Sequence, residues 1–356
     1  MNQRIQNLIA KLPEGVDGAL ITSTVNRYYL SGMHSTAGNL LVTRDGAYAL
    51  FDFRYIEAAR KTVKNCEVVL MEKVEDQLGE LIKKHNLHRL ALETSYQTIG
   101  EMNRFRKMFP EVEFLTDDQV DSAILELRRI KDRQELDSIR AAQKITDEAF
   151  TQILDFITPG KTEQQVATQL EYFMKLGGAE CTSFSTICVA GPNSSMPHGV
   201  PGTRPVQAGD FLTMDFGCMV NGYCSDMTRT VAVGQPTEEM KKVYHLVLDA
   251  QLAALGKIAP GVPCAEVDAA ARNLIYGAGY EGCFGHGTGH SLGLEIHEDP
   301  RFSTVSKASC EAGIVMSVEP GIYLSGRFGC RIEDIVVVTE NGCEDLTHSP
   351  KELIIL

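Results

Sequence analysis

The chain reads as an α/β domain over residues 1–122 followed by an α+β domain with mostly antiparallel strands over residues 123–356. Three observations predict this. At 356 residues the chain exceeds what a single hydrophobic core usually organises. Its first third alternates short apolar runs with helical stretches. Its remainder sets amphipathic helices beside strands that carry isolated charged residues, a pattern of layered helices and sheet.

In the first domain, GALITS (18–23) and NLLVTRDGAYALFDF (39–53) are strand-like, the second a hairpin turning at Asp45-Gly46. CEVVLM (66–71), a helix near 75–86, HRLALET (88–94), a helix near 97–108 and VEFLT (112–116) continue the alternation. A charge-rich helical stretch follows over 118–157, restarting at Asp132, where Asp132 and Glu135 have capping-box spacing. The domain boundary is placed within it, near 123. Thr162 with Gln165 begins a helix that Gly177-Gly178 ends, and further helices span 237–256 and 264–277. Strands are expected at 184–189, 211–220, 223–233, 313–319 and 330–338.

Composition narrows the function. A net charge of −13 leaves no basic face for nucleic acid or an anionic membrane. No segment has the uninterrupted apolar length of a membrane span. MNQRIQNLIAKLPEG reads as a short amphipathic helix, not an apolar signal core. The ten cysteines form no CxxC pair, as expected of reduced thiols in a cytoplasmic protein.

Five residues stand out against their surroundings: Asp215 in FLTMDFG, Asp226 in YCSDMTRTV, His290 in GHGTGHSLGLEIHE, Glu319 in IVMSVEPGIY and Glu333 in CRIEDIVVV. A lone carboxylate in a buried strand costs several kcal/mol unless it is paired, protonated or ligated. Ligation by cations is the economical explanation for four of them together with an imidazole. Asn221-Gly222 is a strong two-residue hairpin signal. Its register sets Asp226 opposite Gly217 and makes Asp215 a diagonal neighbour of Asp226, roughly 7–8 Å away along the backbone. Two anions that close repel unless a cation lies between them.

His290 and His297 share one glycine-rich segment with His286. In a straight strand a separation of seven puts His290 and His297 on opposite faces; Gly289 and Gly293 could supply the bend that brings both to one pocket. His198 sits on the Pro/Gly-rich loop SSMPHGVPG, where side chains are commonly presented to ligands.

The order MDFG, SDMTRT, HGTGH, VEPGIY and RIED closely resembles the pita-bread metallopeptidases, the family of the Xaa-Pro dipeptidases, aminopeptidase P and the methionine aminopeptidases. The resemblance covers essentially the whole chain, with residues 1–122 similar to the creatinase-type N-terminal domain. It implies a curved catalytic sheet and two divalent metals, Asp215 on one, His290 and Glu319 on the other, Asp226 and Glu333 bridging both. A carboxylate-rich set suits Mn²⁺, with Co²⁺, Fe²⁺ or Zn²⁺ as replacements. Such a pair lowers the pKa of a bridging water and supplies the hydroxide that attacks the scissile carbonyl. The resemblance further implies that Glu319 shuttles the proton and that His198 and His297 bracket the substrate. Arg331, two residues before Glu333 on the same strand face, orients carboxylates or reaches the substrate, and Tyr323, in PGIY, is a candidate for the substrate-binding side acting from behind the residues that touch it.

Within the family, the additional N-terminal residues argue against a methionine aminopeptidase, and the complete ligand set argues against a creatinase. Arg301, in HEDPRF, stands where dipeptidases carry an arginine for the free carboxylate of a dipeptide; a surface arginine in a turn is the plain alternative. The expectation is therefore an Xaa-Pro dipeptidase acting on small peptides with proline second, ahead of an Xaa-Pro aminopeptidase and of a non-catalytic binding protein on the same fold. Family members are commonly dimers. The segment Phe51-Asp52-Phe53-Arg54-Tyr55 resembles a recurring one that can lie near an active site, a neighbouring subunit's included; a strand end with a solvated ion pair is its alternative.

Overall fold

A computed structural model describes residues 3–356. Met1 and Asn2, at the start of the expected first helix, lie outside the described residues. The chain divides into two compact units, Met1–Arg128 and Arg129–Leu356.

The first unit runs α1 (Gln3–Lys11), β1 (Gly18–Ile21), α2 (Thr24–Ser31), β2 (Asn39–Thr43), β3 (Ala47–Phe51), α3 (Ile56–Thr62), β4 (Glu67–Leu70), α4 (Val74–Lys84), β5 (Arg89–Leu92), α5 (Ile99–Met108), β6 (Glu113–Leu115) and α6 (Gln119–Arg129). Its six strands form one mixed sheet in the order β4-β3-β2-β1-β5-β6. The short helix α2 has no counterpart among the expected elements because tertiary contacts hold it. The buried Glu93 carboxylate accepts from the Ser23 N–H (2.9 Å), the Ser23 hydroxyl (2.7 Å) and Asn26 Nδ2 (2.7 Å) at its first turn.

The two units divide at 128/129, six residues past the boundary expected near 123 and within the margin of two to ten residues given to it. All of α6 up to Arg128 belongs to the first unit, because Asp121 accepts from the N–H groups of Thr94 and Ser95 (2.7 and 3.1 Å) and Leu127 O accepts from the Tyr29 hydroxyl (2.9 Å). Helix periodicity alone does not report such long-range bonds.

The second unit runs α7 (Arg133–Leu154), α8 (Glu163–Leu176), β7 (Ile187–Ala190), β8 (Asp210–Phe216), β9 (Met219–Val220), β10 (Tyr223–Cys224), β11 (Met227–Val233), α9 (Glu238–Lys257), α10 (Cys264–Gly277), β12 (Gly289–Ser291), β13 (Glu298–Phe302), β14 (Val315–Val318), β15 (Gly321–Leu324), β16 (Phe328–Arg331), β17 (Asp334–Thr339) and β18 (Gly342–Asp345). Both expected capping boxes are present, Asp132/Glu135 on α7 and Thr162/Gln165 on α8. The strands pair antiparallel, in a three-stranded order β11-β8-β7, a five-stranded order β13-β12-β14-β17-β18 and the pairs β9/β10 and β15/β16.

Each larger sheet is covered by a pair of helices. Phe150, Leu170 and Met174 of α7 and α8 pack with Leu212, Met214 and Phe216 of β8. Val243, Val247 and Ile275 of α9 and α10 pack with Met316, Val318 and Val336 of β14 and β17. Strand alternation then turns Asp215 away from the apolar side that Met214 and Phe216 share. Among the described residues no helix is long and apolar enough to cross a membrane.

Arg229 joins β11 to β17. It is 1 % exposed, and its side-chain N–H groups reach the carbonyls of Thr228 (2.9 Å), Glu333 (2.6 Å), Ser349 (2.8 Å) and Pro350 (2.9 Å) and the Asp334 carboxylate (2.7 Å). Arg229→Met leaves the buried Asp334 charge and four carbonyls short of donors. It should lower the stability of the second unit by about 3–5 kcal/mol. Urea unfolding followed by circular dichroism measures this, and a transition unchanged from the parent protein would contradict it.

Candidate active site

The hairpin expected from Asn221-Gly222 forms. Both turn residues have positive φ, 49° and 74°. Pairs whose numbers sum to 443 continue from Val220–Tyr223 to Asp210–Val233, with Asp215 opposite Thr228. Asp215 and Asp226 thus reach one cavity of about 720 Å³, which His198, His290, His297, Glu319, Arg331 and Glu333 also line.

The histidine segment arranges itself differently from a bent strand. The chain reverses between β12 and β13, His290 pairs across to Arg301, and the register shifts between His290 and Ser291. This reversal brings the His290 and His297 rings to 4.5 Å, nearly perpendicular at 80°. Gly289 is required because a Cβ there would lie 1.9 Å from the Ser317 carbonyl oxygen. Buried charged groups hold both ends of the segment. Asp268 of α10 accepts from the Thr288 N–H (3.1 Å) and hydroxyl (2.9 Å), while Arg272 donates to the carbonyls of Phe284 (2.9 Å) and His286 (2.7 Å). Lys131 meets Glu298, the residue after His297, at 2.9 Å, both side chains almost fully buried.

Asp226, His290 and Glu333 bring donor atoms within 4.8 Å of one another. His290 Nδ1 faces the Ser291 carbonyl at 3.1 Å and must donate to it. Nε2 therefore carries the lone pair, yet it faces Asp226 Oδ2 at 3.6 Å and Glu319 Oε1 at 3.3 Å. Burial pushes the imidazole pKa down, so protonation is not the remedy. Asp215 Oδ1, Asp226 Oδ1 and Glu333 Oε1 are buried with no hydrogen-bond partner in the protein. A lone pair and unpaired carboxylate oxygens converging in a buried space fit a divalent cation.

Electrostatics agree with the geometry. The Asp226 carboxyl is raised well above its ordinary pKa by burial and then by the Asp215 charge, and Glu333 by burial and then by Asp226. Burial likewise raises Glu319. Asp215 lies outside that trio, and Arg331 Nη2 holds its Oδ2 at 2.5 Å. Arg331 also donates through Nε to the Thr228 hydroxyl (3.0 Å), which donates to Glu333 Oε2 (2.6 Å).

Tyr323 touches two residues that line the cavity: its hydroxyl accepts from Arg331 Nη1 (2.8 Å) and meets His286 Nε2 (2.8 Å). Burial pushes the phenol pKa up to about 12. Because His286 Nδ1 faces the Gly287 carbonyl at 2.8 Å and donates to it, Nε2 accepts from Tyr323. The pairing of β15 with β16 sets Tyr323 opposite Gly329. Sequence reasoning left Thr228 and Ser317 out of the site. Thr228 was legible as the next residue on the Asp226 face, whereas Ser317, which bonds the His290 N–H (3.0 Å) and Glu319 Oε1 (3.2 Å), needs the β12/β14 contact. His198 and Arg301 are exposed at the cavity, Arg301 with its guanidinium 3.7 Å from Asp299.

Two antiparallel layers with this cavity form the catalytic domain of a metallopeptidase: residues 137–340 match Metallopeptidase family M24 and residues 4–130 match the Creatinase/Prolidase N-terminal domain. The chain belongs to that family, with its pita-bread fold, and is a metallo-exopeptidase. It is similar to an Xaa-Pro dipeptidase of Pyrococcus furiosus, 36 % identical over 99 % of this chain and all of that protein. Among solved structures it resembles an Xaa-Pro dipeptidase from Bacillus anthracis, 40 % identical with a TM-score of 0.95 over 99 % of each chain. It also resembles an X-Pro aminopeptidase from Thermotoga maritima, 34 % identical with a TM-score of 0.94 over 99 % of this chain and all of that one.

Asp226, Glu319 and Glu333 hold protons more tightly folded than unfolded, so the metal-free protein loses stability as the pH rises from about 4 through the raised values. In EDTA the Tm should fall across that interval, and Glu333→Gln, which removes one titrating group, should flatten the fall. A slope identical in the variant would contradict the assignment.

Proposed function

We propose that this chain hydrolyses the Xaa-Pro bond of dipeptides, with Asp215, Asp226, His290, Glu319 and Glu333 holding two divalent cations. The observation that carries this reading is the lone pair of His290 Nε2 set against two carboxylates at 3.3 and 3.6 Å. Full-length similarity to two Xaa-Pro dipeptidases supports the substrate class. Four carboxylates and one imidazole suit Mn²⁺ first, with Co²⁺, Fe²⁺ or Zn²⁺ as replacements. When bound, such a pair supplies hydroxide at neutral pH and polarises the scissile carbonyl.

The chain's own groups do the remaining work. Arg331 pairs with Asp215 and orients it. Glu319, whose carboxyl pKa is raised by burial, takes the proton from the attacking water and returns it to the leaving prolyl nitrogen. His297, held neutral by burial, and His198 bracket the substrate and donate to the oxygen that gains charge. Arg301, at the cavity edge, binds the dipeptide's free carboxylate. Cleavage from longer peptides is the second reading, favoured by the likeness to the Thermotoga maritima aminopeptidase. The exposed Phe53, 87 % accessible beside the Asp52–Arg54 ion pair, fits a homodimer contact, and the assembly is read as cytoplasmic.

Protein stripped with EDTA should lose Xaa-Pro hydrolysis and regain it with Mn²⁺ or Co²⁺; continued turnover without metal would sink the reading. Arg301→Ala should reduce turnover of Xaa-Pro dipeptides by roughly tenfold or more while sparing Xaa-Pro-Xaa tripeptides, as expected for loss of a charge-assisted pair of about 1.5–3 kcal/mol. Equal loss on both substrates would assign Arg301 no role at the carboxylate.

A further inference from the structure

One buried carboxylate closes both ends of the loop that carries His198. Glu163 is the first residue of α8 and has no exposed surface. Its Oε1 accepts from the Ala190 N–H at 2.8 Å and from Asn193 Nδ2 at 3.0 Å, and its Oε2 accepts from the Gly202 N–H at 3.0 Å. Ala190 is the last residue of β7, whose partner β8 carries Asp215, and Gly202 is where the loop returns to α8. His198 lies between these anchors. Three N–H donors converge on two oxygens, a demand that a carboxylate meets and a carboxamide, with one oxygen and an NH₂, does not. The helix N-terminus adds a favourable field for the charge.

His198 has no such support of its own. It is exposed, and among the described residues no hydrogen bond holds its imidazole. The loop is also tied by Gly329 N–H to Ser194 Oγ (2.9 Å) and by Arg331 Nη1 to Pro197 O (3.2 Å). The ring's place over the cavity is inherited from the backbone that carries it.

We infer that Glu163 is a positioning residue for peptide hydrolysis, acting through the His198 loop; this rests on the reading of His198 as a substrate-facing group. Glu163→Gln keeps the shape but sets an NH₂ against one of the three donors and releases one end of the loop. With an Xaa-Pro dipeptide and saturating Mn²⁺, kcat should fall roughly ten- to a hundredfold with KM little changed. In the double variant with His198→Ala, Glu163→Gln should cost nothing further, because both act through one group. In the metal-free protein, the His198 ring resonance, assigned by its loss in His198→Ala, should broaden or shift in Glu163→Gln while that of His245 stays. Asn193→Ala removes one donor without touching the carboxylate; it should give a smaller loss with the same non-additivity and serves if Glu163→Gln does not fold. Losses that add in the double variant, or an unaltered kcat and His198 resonance, would overturn the inference. A fully active His198→Ala would instead overturn the reading of His198 on which it rests.

Discussion

Burying four carboxylates at the floor of one cavity is the constraint from which the rest of the second unit follows. Asp215, Asp226 and Glu333 are at most 8 % exposed, and Glu319 joins them beside His290. Arg331 neutralises one of these charges. The remainder have burial and mutual repulsion against them, which raise the proton affinity of Asp226, Glu319 and Glu333. Divalent cations relieve that repulsion without protons.

The scaffold holds this unfavourable arrangement by spending its buried polar groups around it. Arg229 ties the two ligand-bearing strands from behind, through carbonyls that include that of Glu333 itself. Asp268 with Arg272, and Lys131 with Glu298, fix the two ends of the histidine segment. The two helix pairs bury the apolar sides of the sheets and leave their polar sides to the cavity. The segments that carry the candidate site residues are thus fixed by buried polar groups, the condition for preorganised chemistry.

Much of the site was legible in the residues. The five ligand candidates all line the one cavity, and the register inferred from Asn221-Gly222 holds in both paired stretches, at Met219–Val220 and from Phe216 to Asp210. A two-residue turn and a period of two leave little freedom. The histidine segment was less legible, because Gly289 and Gly293 indicate a departure from a straight strand without saying whether the chain bends or reverses. That Tyr323 bonds Arg331 and His286 depends on pairing with a strand that comes later in the chain.

The chain's local chemistry, then, determined which residues bear charge against an apolar background, where helices are capped and which strand face each aspartate occupies. These follow from turn stereochemistry, capping and side-chain alternation, all of which act over a few residues. Only the tertiary structure decided that α6 belongs with the first unit, that His290 Nε2 faces carboxylates, and that Glu163 grips both ends of the His198 loop. Those facts are set by hydrogen bonds between residues tens to hundreds of positions apart, and such bonds exist only once the sheets have closed around the charges they were built to hold.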